Sequence, residues 1–277
     1  MARLSKKRVS GRFKMIKKFQ NFLKEVYWRA WYSYISQNDK NNELTFLNYG
    51  FQGNKILDNL SEENNRYSIQ LYDFVVGSIP GGIGGKNVLE IGSGRGGGAL
   101  FLTKTHDPHS FIGMDLCEGA IDFCRVHYHD TKLSFLKGDA QKIPLKDNSQ
   151  DIIINIESSH RYPDMNQFLR EVNRTLKPKG YFSFTDFRAS NKVDTLINNF
   201  FSSGMTSLKT EIITPQVLRA LDLDNKRKLD LISRLVPKIL HKPAREFASV
   251  KGSLSYESLA IRQREYLYLL MQKPERV

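Results

Sequence analysis

The residues able to do chemistry cluster where apolar runs stop. "NVLEIGSGRGGGALFL" (87–102) places Gly92, Ser93, Gly94 and Gly96 between two apolar stretches. Glycines lack a Cβ, so backbone amides there can meet a ligand directly. Glu90 stands two residues before the first glycine, and Asp115 nineteen residues after Gly96. Asp115, followed by Leu116, stands where a carboxylate can accept from both hydroxyls of a ribose. Asp139 and Ala140, in "GDA", end a third apolar run; the acid suits an adenine amino group, and the alanine amide suits the ring. Asn155, Ile156 and Glu157 end a fourth run, with His160 three residues further on. A neutral imidazole, with an unperturbed pKa of about 6.5, suits a general base or an orienting donor.

A glycine-rich turn alone fits NAD, FAD or S-adenosylmethionine, and a purely structural tight turn as well. The acid at Glu90 narrows the choice. It repels a pyrophosphate, whereas a sulfonium and an amino group favour it. Among these cofactors the acid favours S-adenosylmethionine. Methyl transfer from a sulfonium is an in-line displacement, so the protein has mainly to align the acceptor and exclude water. A hydroxyl acceptor needs a base, for which His160 and Glu157 are the candidates. A carboxylate acceptor, already ionised, needs none.

These residues need strand ends to hold them. Strand-like runs occur at 87–91, 111–116, 133–138, 151–156 and 180–187, with helical patterns near 97–105, 119–128 and 164–176. That alternation predicts an α/β fold with a parallel sheet. Residues 65–79 form an amphipathic helix before the first strand. Later, 208–214 reads as a strand, Thr214-Pro215 as a helix start with the hydroxyl as N-cap, 215–262 as two helices, and "EYLYLLMQ" (265–272) as a closing strand.

"LEIGSGRGGG", the acid of "MDL" and "GDAQKIPLKDNSQDIIINIESSH" resemble the motifs of class I S-adenosylmethionine-dependent methyltransferases, over roughly 87–187. The resemblance implies a Rossmann-like, doubly wound seven-stranded sheet whose last strand is antiparallel. A narrower likeness spans most of 27–252. "YWRAWYSYIS", "FLNYGF", "NIESSHRYPD", "FLREVNRTLKPKGYF" and "REFASVKGS" resemble the phthiotriolone/phenolphthiotriolone dimycocerosate methyltransferases and the related mycobacterial fatty acid O-methyltransferases. It implies methyl transfer to oxygen of a long-chain lipid or fatty acid. The expected organisation is a basic arm and helical lid over 1–64, then a methyltransferase domain over 65–277 with a helical acceptor-side insertion at about 188–262. An acceptor with an apolar tail needs an apolar chamber, for which Tyr27, Trp31, Tyr49, Phe51 and Tyr162 are the candidate lining.

Charge and cysteine usage bound the alternatives. The net formal charge is +13, of which residues 1–35 carry +9, from ten Lys/Arg and one acid. Phe13, Ile16, Phe19, Leu23, Tyr27, Trp31 and Tyr34 recur at helix period along this arm, with lysines on its other face. Such a helix suits transient contact with an anionic membrane surface, or simply a solvated face. Nucleic acid is disfavoured, because no Asn/Asp-Pro-Pro-aromatic stretch follows the fourth strand. No run approaches membrane-spanning length, and no apolar core follows the basic start as in an export signal. Two cysteines and no Cys/His cluster of metal-ligand spacing point to a reducing cytoplasm and no metal site. A carbon- or nitrogen-directed methyltransferase, and a non-catalytic cofactor-binding protein, are the rival readings.

Overall fold

The computed structural model describes residues 39, 43–53 and 65–275. The basic arm 1–35, with Tyr27 and Trp31 of the expected lid, lies outside the described residues.

The elements, in chain order, are α1 (Arg66–Gly77), β1 (Asn87–Ile91), α2 (Gly97–His106), β2 (Ser110–Asp115), α3 (Glu118–His127), β3 (Leu133–Lys137), β4 (Gln150–Ile156), α4 (Met165–Thr175), β5 (Leu176–Ala189), α5 (Val193–Phe201), β6 (Thr206–Ile212), α6 (Thr214–Leu235), α7 (His241–Ala248), α8 (Leu254–Ala260) and β7 (Arg264–Gln272). The seven strands form one sheet in the order β3-β2-β1-β4-β5-β7-β6. β1 to β5 are parallel, and β7 runs antiparallel to both its neighbours. The expected fold is thus observed, with "EYLYLLMQ" as the antiparallel strand.

Sequence composition explains the layering. Val88, Leu89, Ile91, Ile152, Ile153 and Ile154 are at most 1% exposed, so the central strands are covered on both faces. One face packs α1 and α2 against Val88, Phe111, Ile154 and Tyr268; the other packs α4 and α5 against Leu89, Ile153, Phe182 and Phe184. α4 starts where Asp164 accepts from Gln167 N at 2.9 Å, an N-cap that satisfies an otherwise orphaned amide.

Two expectations about the later chain need correction. Three helices, not two, fill 214–260. Pro237 follows the end of α6, and Ser249 and Gly252, at φ +50° and +82°, separate α7 from α8. Thr214 does not cap α6: its hydroxyl donates to Glu265 Oε2 at 2.5 Å and accepts from Tyr266 N at 2.8 Å, tying the helix start to β7. Pro215 does occupy the first turn.

β6 ends at the same edge of the sheet as β1 to β5, and β7 begins there. The insertion α6–α8 is therefore fixed at that edge by topology. It has its own small core of Ile232, Val236, Ala244 and Val250, onto which Leu44 packs. No described helix is long and apolar enough to cross a membrane.

Candidate functional site

The crevice lies at the carboxyl ends of β1 and β4, where the strand order reverses. Gly92 N and Ser93 N both donate to Met114 O, at 2.7 and 3.0 Å, so the glycine turn folds against the end of β2. Asp115 is stitched into it. Its Oδ2 accepts from Gly94 N at 2.9 Å, and its Oδ1 from Cys117 N at 2.8 Å. Each carboxylate oxygen keeps a further lone pair for a ligand hydroxyl. Burial pushes this carboxyl up, and the two amides pull it back. Leu116 beside it is 55% exposed, an apolar surface open for a ring.

Four glycines from the loop into α2 are demanded by space; a Cβ on Gly92 would lie 2.2 Å from Ser158 Oγ, and on Gly97 2.6 Å from Thr45 O. A Cβ on Gly96, at φ +73°, would lie 2.7 Å from the Phe135 ring and 2.8 Å from Cys124 Sγ. On Gly98 it would overlap Tyr72 Cζ at 1.9 Å. The room left at Gly98 lets Tyr72 of α1 reach under the loop and donate to Glu90 Oε1 at 2.6 Å. Glu90 is 1% exposed, and its Oε2 has no partner among the described residues. Burial pushes its carboxyl up to about 7, against the Tyr72 hydrogen bond and with help from Asp115. Ser93 Oγ and Asn155 Oδ1 are likewise buried without partners among the described residues. Asn155 Nδ2 donates to Ile91 O at 2.8 Å and Ser158 Oγ at 2.7 Å, which fixes the amide's orientation. Ile156 is buried beside it. Asp139 is exposed at the far end of the crevice and accepts from Gln141 N at 2.8 Å, while Ala140 is buried. Unpaired acceptors around bare backbone, with one acid raised towards neutrality, make a cradle for a cation that also carries hydroxyls.

Beyond β4 lies a second constellation. His160 Nδ1 donates to Asp186 Oδ1 at 2.9 Å, and His160 N donates to Asp186 Oδ2 at 2.8 Å. Ser159 Oγ also donates to Asp186 Oδ2, at 2.7 Å, and Arg188 Nη1 sits 3.2 Å from it. Burial alone would raise the Asp186 carboxyl, but His160, Arg188 and these hydrogen bonds outweigh it and hold it well below the usual range. A proton on Nδ1 leaves Nε2 as the basic nitrogen, which accepts from Arg161 Nε at 3.2 Å. The imidazole stacks on Phe187 at 4.4 Å, and Phe187 stacks on Tyr49 at 5.4 Å.

Glu157, at φ +47°, turns back towards Tyr49. Its Oε1 accepts from Tyr49 N at 2.6 Å and from Tyr266 Oη at 2.5 Å. Lys228 of α6 donates to Tyr49 O at 3.1 Å. Burial pushes the Glu157 carboxyl up and the Lys228 ammonium down. Glu157 and Lys228 thus hold the main chain of Tyr49 from both sides. The segment carrying Tyr49 begins at the glycine loop, where Gly97 N donates to Thr45 O at 3.3 Å. Nearby, the buried pair Arg95–Asp39 closes at 3.1 Å, with the guanidinium 3.7 Å above the Phe123 ring.

The structure therefore gathers Glu90, Gly92–Gly96, Asp115, Asn155, Glu157, His160 and Tyr49 at one edge. It places two candidate lining residues elsewhere. The Phe51 ring stacks on Phe74 of α1 at 4.3 Å, in the core beneath the sheet face. The Tyr162 hydroxyl bonds Ser158 Oγ at 2.8 Å and Asn155 Nδ2 at 3.1 Å, against the back of Gly92. Sequence reasoning missed Asp186, Tyr72, Tyr266 and Lys228. Asp186 had a signal, since an acid ending the apolar run "YFSFTD" stands as Asp115 does in its own strand. The others had none, because their roles come from elements far apart in the chain.

Known proteins resemble this chain in sequence and in fold. The family model described as a methyltransferase domain matches residues 89–184. The chain is 35% identical over 229 residues to a phthiotriol/phenolphthiotriol dimycocerosates methyltransferase of Mycobacterium tuberculosis, covering 82% of this chain and 84% of that one. It is 33% identical over 246 residues to a fatty-acid O-methyltransferase of Mycolicibacterium smegmatis, covering 88% of each. A putative sarcosine dimethylglycine methyltransferase from Galdieria sulphuraria shares the fold with a TM-score of 0.70 at 15% identity, over 83% of this chain and 94% of that one.

Proposed function

The chain belongs to the S-adenosylmethionine-dependent methyltransferases, in the family of the mycobacterial dimycocerosate and fatty-acid enzymes, and from that membership we propose that it methylates an oxygen of a hydrophobic, lipid-like acceptor. The observation that carries the oxygen assignment is the His160–Asp186 pair, 2.9 Å apart and adjoining the cofactor cradle. A base held in one tautomer by a buried carboxylate suits removal of a hydroxyl proton.

The cradle residues fit the cofactor. Glu90 would offer an unpaired oxygen to a positive centre, Asp115 would offer lone pairs to a ribose diol, and Asp139 would accept from an adenine amino group. When bound, S-adenosylmethionine supplies a methyl group already activated on sulfur. The chain's own task is alignment and proton handling. An acceptor hydroxyl would displace the Arg161 N–H from His160 Nε2 and give its proton to that nitrogen. Asp186 stabilises the imidazolium. For a carboxylate acceptor Arg161 would act as the orienting donor, and no proton moves. Tyr49 and Phe187 offer an aromatic wall beside His160.

The test is incubation with methyl-labelled cofactor and a lipid extract, followed by mass spectrometry of the labelled product. Label on a methoxy group or methyl ester supports the proposal. Label on carbon or nitrogen overturns the oxygen assignment.

A further inference from the structure

Ile239 and Leu254 are the most exposed large apolar side chains among the described residues, at 87% and 77%. They stand at the two ends of α7, a helix of eight residues and so about 12 Å long. Ile239 is in the turn Lys238–Leu240 that leads into α7. Leu254 starts α8, and its amide donates to Glu246 Oε1 on α7 at 3.0 Å. Four exposed cations share this stretch, Lys238, Lys242, Arg245 and Lys251, the last paired with Asp222 at 3.4 Å. Its one acid, Glu246, is turned inward to accept from Leu254 N and Ser255 N.

Charge elsewhere makes this local. Residues 214–262 hold ten Lys/Arg against five Asp/Glu. Beyond residue 35 the rest of the chain holds 22 Lys/Arg against 23 Asp/Glu. The positive excess of the body therefore belongs to the insertion, which the sheet topology fixes beside the crevice. Apolar side chains exposed among cations match the chemistry of an anionic lipid headgroup layer.

We propose that the turn before α7, α7 itself and the start of α8 dock the enzyme on an anionic lipid surface, Ile239 and Leu254 entering the acyl boundary and Lys238 and Lys242 pairing with headgroups. The proposal rests on the reading of the acceptor as lipid-like, since docking here would bring the crevice edge to the layer in which such an acceptor dissolves.

The test is co-sedimentation of the full chain with vesicles of 7:3 phosphatidylcholine:phosphatidylglycerol and with pure phosphatidylcholine, neither containing acceptor. Wild type is expected to bind the anionic vesicles preferentially. Ile239→Ser with Leu254→Ser should weaken that binding by at least about tenfold. Each of Lys238→Ser and Lys242→Ser should weaken it about fivefold. All variants should keep wild-type far-UV circular dichroism and wild-type affinity for S-adenosylhomocysteine. Absence of wild-type binding, or equal binding by wild type and the Ser variants, overturns the proposal; the second result would assign the contact to the N-terminal arm. Because no acceptor is present, failure here is separate from failure of the methyl-transfer reading, which the labelled-product assay judges.

Discussion

Cofactor affinity should fall as Glu90 takes up a proton. The carboxyl sits at about 7 because it is buried and, among the described residues, only Tyr72 donates to it. If the charged form is needed to hold a positive group, affinity follows the ionised fraction, about nine tenths at pH 8 and one tenth at pH 6. The dissociation constant of S-adenosylhomocysteine should therefore rise about tenfold between those values. The ligand's own α-amino group titrates near 8, so the comparison must be made against Glu90→Gln, which binds the same ligand without the switching carboxyl. Asp115, which also faces Glu90, stays in place in that variant and cancels too. Tyr72→Phe removes the one hydrogen bond that favours the charged form. A bond to a charged group is worth about 1.5–3 kcal/mol, or at least one pKa unit, which moves the window to about pH 8 and weakens binding about fivefold at pH 7. Titration calorimetry in two buffers of different ionisation heat reads both the affinity and the protons released. Wild type and Glu90→Gln showing the same pH slope would refute the reasoning.

Other consequences follow from the same contacts. With the folded pKa of Glu90 raised, its contribution to stability is full below about 4.5 and is lost as pH rises through about 7; Glu90→Gln should thus stabilise the cofactor-free protein at pH 8 by about 3 kcal/mol in urea unfolding. Asp186→Asn should lower kcat by about a hundredfold or more for a hydroxyl acceptor, with cofactor affinity by calorimetry unchanged; an unaltered pH–rate profile would remove His160 from proton transfer. Asp39→Asn leaves the buried Arg95 guanidinium without its anion, and should cost about 3–5 kcal/mol, read as a fall in the unfolding midpoint.

The sequence by itself determined the sheet and which residues stand at the carboxyl ends of its strands. Both are local: apolar runs such as "DIIINI" set strands buried on two faces, and Gly92, Gly96, Asp115 and Asn155 stand at strand ends that those runs define. A residue's place along a strand fixes whether it reaches the crevice, so spacing was enough. The acceptor half was decided by tertiary structure. His160 owes its tautomer to Asp186, 26 residues away on β5. Glu157 meets Tyr49 across 108 residues and Tyr266 across 109, and Lys228 meets Tyr49 across 179. Phe51, two residues from Tyr49, faces Phe74 instead of the site. Periodicity shows that a side chain is buried, but which neighbour covers it depends on how separate elements dock. No local pattern records that.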